Sequence, residues 1–161
     1  MVRWFPCVLV PLMAISLGCA TRFPLTRETT ICGDHWHVSS GGSMVLLIAE
    51  NRLAEELAQR TGRQWNSRGV FAWKLKWWGI FGIYAGFEDA GEVPKGAVGF
   101  AFLRSRPKPE PHAFRVMVKA DSVLIEASSG KGFDQAIDAL LSTLREENGE
   151  FCFPVQTLSP R

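Results

Sequence analysis

The chain has 161 residues, a mass of 17.9 kDa, 47% apolar and 21% charged residues, and a net charge of +2. That is enough for one domain with a sizeable core, too little for two ordinary domains, and too apolar for a wholly disordered chain. The near balance of 18 Lys and Arg against 16 Asp and Glu removes the electrostatic case for nucleic acid, which needs a clustered basic face.

Arg3 is the one early charge, and Trp4 to Leu17 is an uncharged apolar run that contains Pro6 and Pro11. The run falls short of the roughly 20 residues that a membrane-spanning helix needs, and it fits the apolar core of a signal peptide. Ser16-Leu17-Gly18-Cys19 resembles a bacterial lipobox, with Ser16 where that pattern prefers Leu. The resemblance implies cleavage before Cys19, lipid on its thiol, and a cell-envelope or periplasmic location for an exported chain. The membrane is then met only through the anchor at Cys19. Residues 1–19 are thus expected to be a leader, 20–42 a polar, turn-rich linker, and 43–161 the folded domain.

Four Cys are too few for a disulfide-dense scaffold in a chain of this length. Cys7 leaves with the leader. With Cys19 lipidated, Cys32 and Cys152 remain as an even pair. In an oxidising compartment a bridge between them would close a loop of roughly 120 residues, worth up to ~4–5 kcal/mol by chain entropy.

Ser43 to Arg60 reads as a helix capped by Ser43. Leu47, Ile48, Ala54, Leu57 and Ala58 fall on its apolar side, and Glu50, Asn51, Arg52, Glu55 and Glu56 on its solvent side. Gly62 is placed to stop it. Phe71 to Trp78 alternates with period two and reads as a strand. Ile80 to Phe87 is a second extended run and Ala97 to Leu103 a third. Pro107, Pro109 and Pro111 make 104–112 a loop. Ala113 to Lys119 and Val123 to Ala127 alternate on either side of a turn at Ala120-Asp121 and read as paired strands. Phe133 to Glu147 reads as a helix whose buried face is Phe133, Ala136, Ile137, Leu140, Leu141 and Leu144, ending at Asn148-Gly149. A short strand, Phe151 to Val155, follows. The predicted fold class is α+β: a mostly antiparallel sheet with two main helices packed on one face.

Several catalytic constellations are missing. No His-Glu-x-x-His excludes the common zinc peptidase motif, and Gly130-Lys131-Gly132 lacks the spacing of a phosphate loop. Ser128 and Ser129 have no Gly-x-Ser-x-Gly context. Asp34-His35-Trp36-His37, with Cys32 nearby, offers metal-ligating residue types, but a site would need a third ligand on ordered backbone. Surface histidines in a linker are the plainer reading. His35, His37 and His112 are the candidate acid–base residues if the chain has an activity of its own. Trp65, Trp73, Trp77 and Trp78 are candidates for stacking on a sugar or docking a partner; the plainer reading of Trp73 and Trp77 is that they alternate into the core. Trp78 points opposite to them. No cofactor is implied.

Leu53-Ala54-Glu55-Glu56-Leu57 with Thr61-Gly62-Arg63, then His112 to Val118 with Asp121 to Ala127, then Gly132, Ala136, Ile137 and Leu140, and finally Phe153-Pro154-Val155 with Pro160-Arg161 form an ordered series. In that order and spacing they resemble the N-terminal, non-catalytic domain of family 20 glycoside hydrolases, the β-N-acetylhexosaminidases. The resemblance covers residues 43–161. Asp134-Gln135 replaces the family's aromatic pair, Ala139 its usual Thr, and 66–92 matches nothing in the pattern. Family members cleave terminal N-acetylhexosamines with an Asp-Glu pair carried on a barrel that would follow Arg161. This chain contains no Asp-Glu dipeptide, since Glu88-Asp89 has the reverse order. The resemblance therefore implies an accessory domain without catalytic residues, associated with an amino-sugar glycan or a catalytic partner domain. The alternative is an exported module that docks another envelope protein through its Trp-rich strands.

Overall fold

Two strands form where a linker was expected. A computed structural model describes residues 21–67, 87, 89–104 and 110–160. In it β1 (Arg22–Leu25) and β2 (Thr30–Gly33) lie within 20–42 and bury Phe23, Leu25 and Ile31. The segment is polar overall, but each strand needs only one or two inward apolar residues to belong to the core. A 3₁₀ turn (His35–His37) leads to α1 (Ser40–Thr61).

Ser39, not Ser43, caps α1, accepting the Gly42 amide on its side chain, and Gly62 ends the helix in the left-handed region at φ 67°. The buried stripe is Leu46, Ala49, Glu50, Leu53 and Leu57. The expected stripe was rotated by about one residue, so Ile48 and Met44 stand exposed on the outer side.

The remaining elements are β3 (Asn66–Ser67), β4 (Ala97–Phe102), β5 (Phe114–Val118), β6 (Val123–Ala127), α2 (Gly130–Leu141), β7 (Arg145–Glu147), β8 (Glu150–Pro154) and β9 (Gln156–Leu158). Ser129 caps α2 through the Gly132 amide. The apolar face of α2 is as expected, but its last stretch is not helical. Arg145–Glu147 turns back through Asn148-Gly149 to pair with β8. Both turn residues have positive φ, 54° and 78°, the requirement of a two-residue hairpin of type I′.

The architecture is α+β. The larger sheet has the order β3-β2-β4-β6-β5-β9 and the smaller one β1-β8-β7. The smaller sheet is antiparallel throughout, as are the β5–β6 and β5–β9 pairs. In the larger sheet the strands from the β3 edge through β2 and β4 to β6 run parallel. Sequential hairpins therefore do not build that part of the sheet; β2 reaches its parallel neighbour β3 by a crossover through α1, and β2–β4 and β4–β6 pair strands that are not consecutive. Strand periodicity reads alike in both cases, because it reports only which side chains share a face.

Both helices pack on one face of the larger sheet. Val98, Phe100, Val116, Ile125, Leu46, Leu53, Phe133 and Ile137 share that core, and Phe23 and Phe153 enter it from the smaller sheet. Phe133 is the hub, edge-on to Phe100 and Phe102 with centroids 5.8 and 5.4 Å away. A second cluster of Cys32, Phe87, Ala97, Ala101 and Leu124 covers the opposite face.

The expected bridge between Cys32 and Cys152 is not made. Both are buried, but Cys32 lies on β2 facing away from the helices, while Cys152 sits on the middle strand of the other sheet. The expected strands over 71–87, together with Trp73, Trp77 and Trp78, fall outside the described residues except at Phe87. So do the residues of the expected leader and Cys19.

Candidate functional site

Among the described residues, a cluster of buried and linked polar side chains gathers where β2 leaves the sheet. Asp34 donates its backbone N–H to the Phe100 carbonyl at 2.8 Å, and the chain then tightens into the 3₁₀ turn that carries His35 and His37. His35 is buried under α1. Its Nε2 lies 2.5 Å from Glu50 Oε1 and its Nδ1 lies 2.6 Å from Ser43 Oγ. A ring protonated on Nε2 donates to the carboxylate and accepts the Ser43 hydroxyl proton on Nδ1, which satisfies both nitrogens.

Glu50 is fully buried, and its second oxygen has no hydrogen-bond partner among the described residues. Burial raises its carboxyl above the ordinary range, outweighing the opposing effect of His35. Gly33 makes room for the pair. A Cβ at that position would collide with Glu50 Oε1 and come within 2.9 Å of His35 Nε2.

The second half of the cluster faces outward. His37 Nδ1 bonds Asp34 Oδ1, and Arg104, just beyond β4, donates to Asp34 Oδ2 at 3.3 Å. Asp34 is buried, whereas Arg104 is largely exposed. The two His of the Asp34-His35-Trp36-His37 run thus take different carboxylates. Among the described residues no group of three or more His, Cys, Asp or Glu is placed to hold a metal ion.

Other candidates sit apart from this cluster. His112, at φ 64°, pairs its Nδ1 with Ser129 Oγ at 2.9 Å, beside the N-terminus of α2. Trp65 is half-buried against the core and donates its indole N–H to Thr61 Oγ1 at 2.9 Å. It is a packing residue with a satisfied donor. Trp77 and Trp78 lie outside the described residues.

Sequence reasoning assigned Glu50 to the solvent side of α1. The signal was present, since Glu50 falls between Leu46 and Leu53–Leu57 at helical spacing, within the apolar stripe. An acidic residue in such a stripe needs a buried partner.

Chemically, Ser43, His35 and Glu50 have the connectivity of a hydroxyl–base–carboxylate relay. The His35–Glu50 portion is sealed from solvent, with relative exposures of 7% and 0%. The arrangement fastens the 3₁₀ turn to α1, and Asp34 fastens it to the end of β4.

Because the Glu50 carboxyl is raised in the fold, the folded chain holds that proton more tightly than the unfolded chain. The associated stability is complete below the ordinary carboxylate pKa and is lost as pH rises through the raised value. Urea midpoints should therefore fall across that interval in the unmodified protein. In Glu50→Gln the same interval should be flatter; an unchanged slope would assign the effect to other groups.

No protein-family model matches the chain, and no curated protein matches it. Solved structures do. An exo-β-N-acetylglucosaminidase of family 20 from Vibrio harveyi superposes with a TM-score of 0.53 at 18% identity, over 87% of this chain and 17% of that one. The chain has the fold of a domain of family 20 glycoside hydrolases. A Flavobacterium johnsoniae chitobiase is also similar, with a TM-score of 0.49 and 22% identity, over 86% of this chain and 18% of that one. At these identities the likeness is one of fold. The chain spans under a fifth of the length of either enzyme.

Proposed function

We propose that the chain is an exported, non-catalytic accessory domain like the N-terminal domain of β-N-acetylhexosaminidases, associated with amino-sugar glycans and held at the cell envelope through Cys19. The observation that carries this reading is a shared fold that covers 87% of this chain and only 17% of the enzyme. Two features of the sequence support it. There is no Asp-Glu dipeptide of the kind the family uses on its barrel, and an apolar leader ends in Ser16-Leu17-Gly18-Cys19. Among the described residues, the buried cluster of Asp34, His35 and Glu50 fastens a turn to α1 and to the end of β4.

The test uses the purified 161-residue chain. It should release no aryl alcohol from an aryl N-acetylglucosaminide, and chitooligosaccharides should bind in titration calorimetry. Turnover abolished by His35→Ala would reverse the reading in favour of an enzyme. Absence of any chitooligosaccharide binding would remove the glycan association and leave the accessory role alone.

A further inference from the structure

We propose that the corner between β8 and β9 is the face on which this domain rests against a lipid bilayer. The proposal depends on the reading of Cys19 as the lipid-bearing residue. Val155, at that corner, donates its backbone N–H to the Thr21 carbonyl at 2.9 Å, which fixes residue 21 there. Cys19 is two residues earlier, and two extended residues reach at most about 7 Å. A lipid on Cys19 therefore holds this corner, rather than any other part of the domain, at headgroup level.

The corner suits that position. Val155 is 44% exposed, a large apolar side chain left in solvent beside the tether. Val118 pairs with Gln156, which brings the exposed Lys119 next to the corner. The Gly96 amide donates to the Asp121 carbonyl at 2.7 Å, so Lys95 joins the same rim. Asp121 is a carboxylate on this rim, Thr30 donates its amide to the Gly96 carbonyl and so brings the exposed Arg27 and Glu28 to the same edge, and Arg22 is paired with Glu147. Lysines near a tether are drawn to anionic headgroups.

Topology then sets the orientation. β5 runs antiparallel to β6, so its far end and the Val155 corner lie at the amino-terminal ends of the parallel strands. Asp34, His37 and Arg104 lie at the carboxyl ends, as do the exposed Met44 and Ile48 on the first half of α1. The anchored domain presents that end outward.

The experiment uses the full chain, made with its own leader in a lipidating bacterium and placed in phosphatidylglycerol–phosphatidylethanolamine vesicles. A nitroxide is attached at Val155→Cys or at Ile48→Cys, two exposed positions, with the unsubstituted chain as the control for its native thiols. Collisions with a water-soluble nickel chelate should be several-fold fewer at 155 than at 48, and the difference should vanish in Cys19→Ser protein. Equal accessibility in a chain whose mass includes a diacylglycerol would overturn the orientation while leaving the anchor standing. A mass without lipid would overturn both.

Discussion

Replacing His35 with alanine should cost about 3–5 kcal/mol of folding stability, the usual consequence of removing one partner from a buried pair. Glu50 would then be fully buried with neither oxygen partnered by His35, and it must either stay charged in an apolar site or bind a proton at a cost. Domains of this size hold roughly 5–15 kcal/mol in total, so a large share is at stake. Denaturant unfolding followed by circular dichroism reads the loss directly. The double replacement His35→Leu with Glu50→Met should recover most of it, because no polar group is left stranded. A double variant as unstable as the single one would mean that the fold needs the hydrogen bonds themselves.

Phe133→Ala should be at least as damaging, by about 4–5 kcal/mol. Its ring is wholly buried at the start of α2, and its loss leaves a cavity between the helix and β4. It also removes two edge-to-face contacts, with Phe100 and Phe102, each worth about 0.5–1.5 kcal/mol beyond area. Thermal unfolding of the variant should show a midpoint far below that of the unmodified chain. A shift of only a degree or two would show that the neighbouring side chains collapse into the space.

Where local signals were strong, the fold was legible in the sequence. The apolar face of α2, the alternation in β5 and β6, and Gly62 as a helix stop all rest on interactions within a few residues. β1 and β2 were not legible, because four-residue strands set among polar residues give periodicity too little length to act on. Asn148-Gly149 was read as the end of a helix when it is the turn of a hairpin, since the charged residues of β7 suit a last helical turn equally well. The parallel part of the larger sheet depends on partners far apart in sequence, which no local pattern encodes.

The candidate site was half legible. His35 and His37 were singled out, but as residues of a linker. Their partners Glu50, Ser43 and Arg104 come from elements whose approach is set by the crossover through α1. The expected leader and the lipid on Cys19 are read from the sequence, and the vesicle experiment tests them.

The pairing of β1 with β8 has a consequence for how the chain is made. Arg22 meets Pro154 and Leu25 meets Phe151, so the smaller sheet joins nearly the two ends of the domain. Closing so long a loop is slow and must precede the contacts that reward it. While the chain is being synthesised, its first strand has no partner, and the core positions of Phe23 and Leu25 stay unfilled until the last strands arrive. Nascent chains interrupted anywhere before β8 should thus remain open to proteases, and the domain acquires its resistance in one late step.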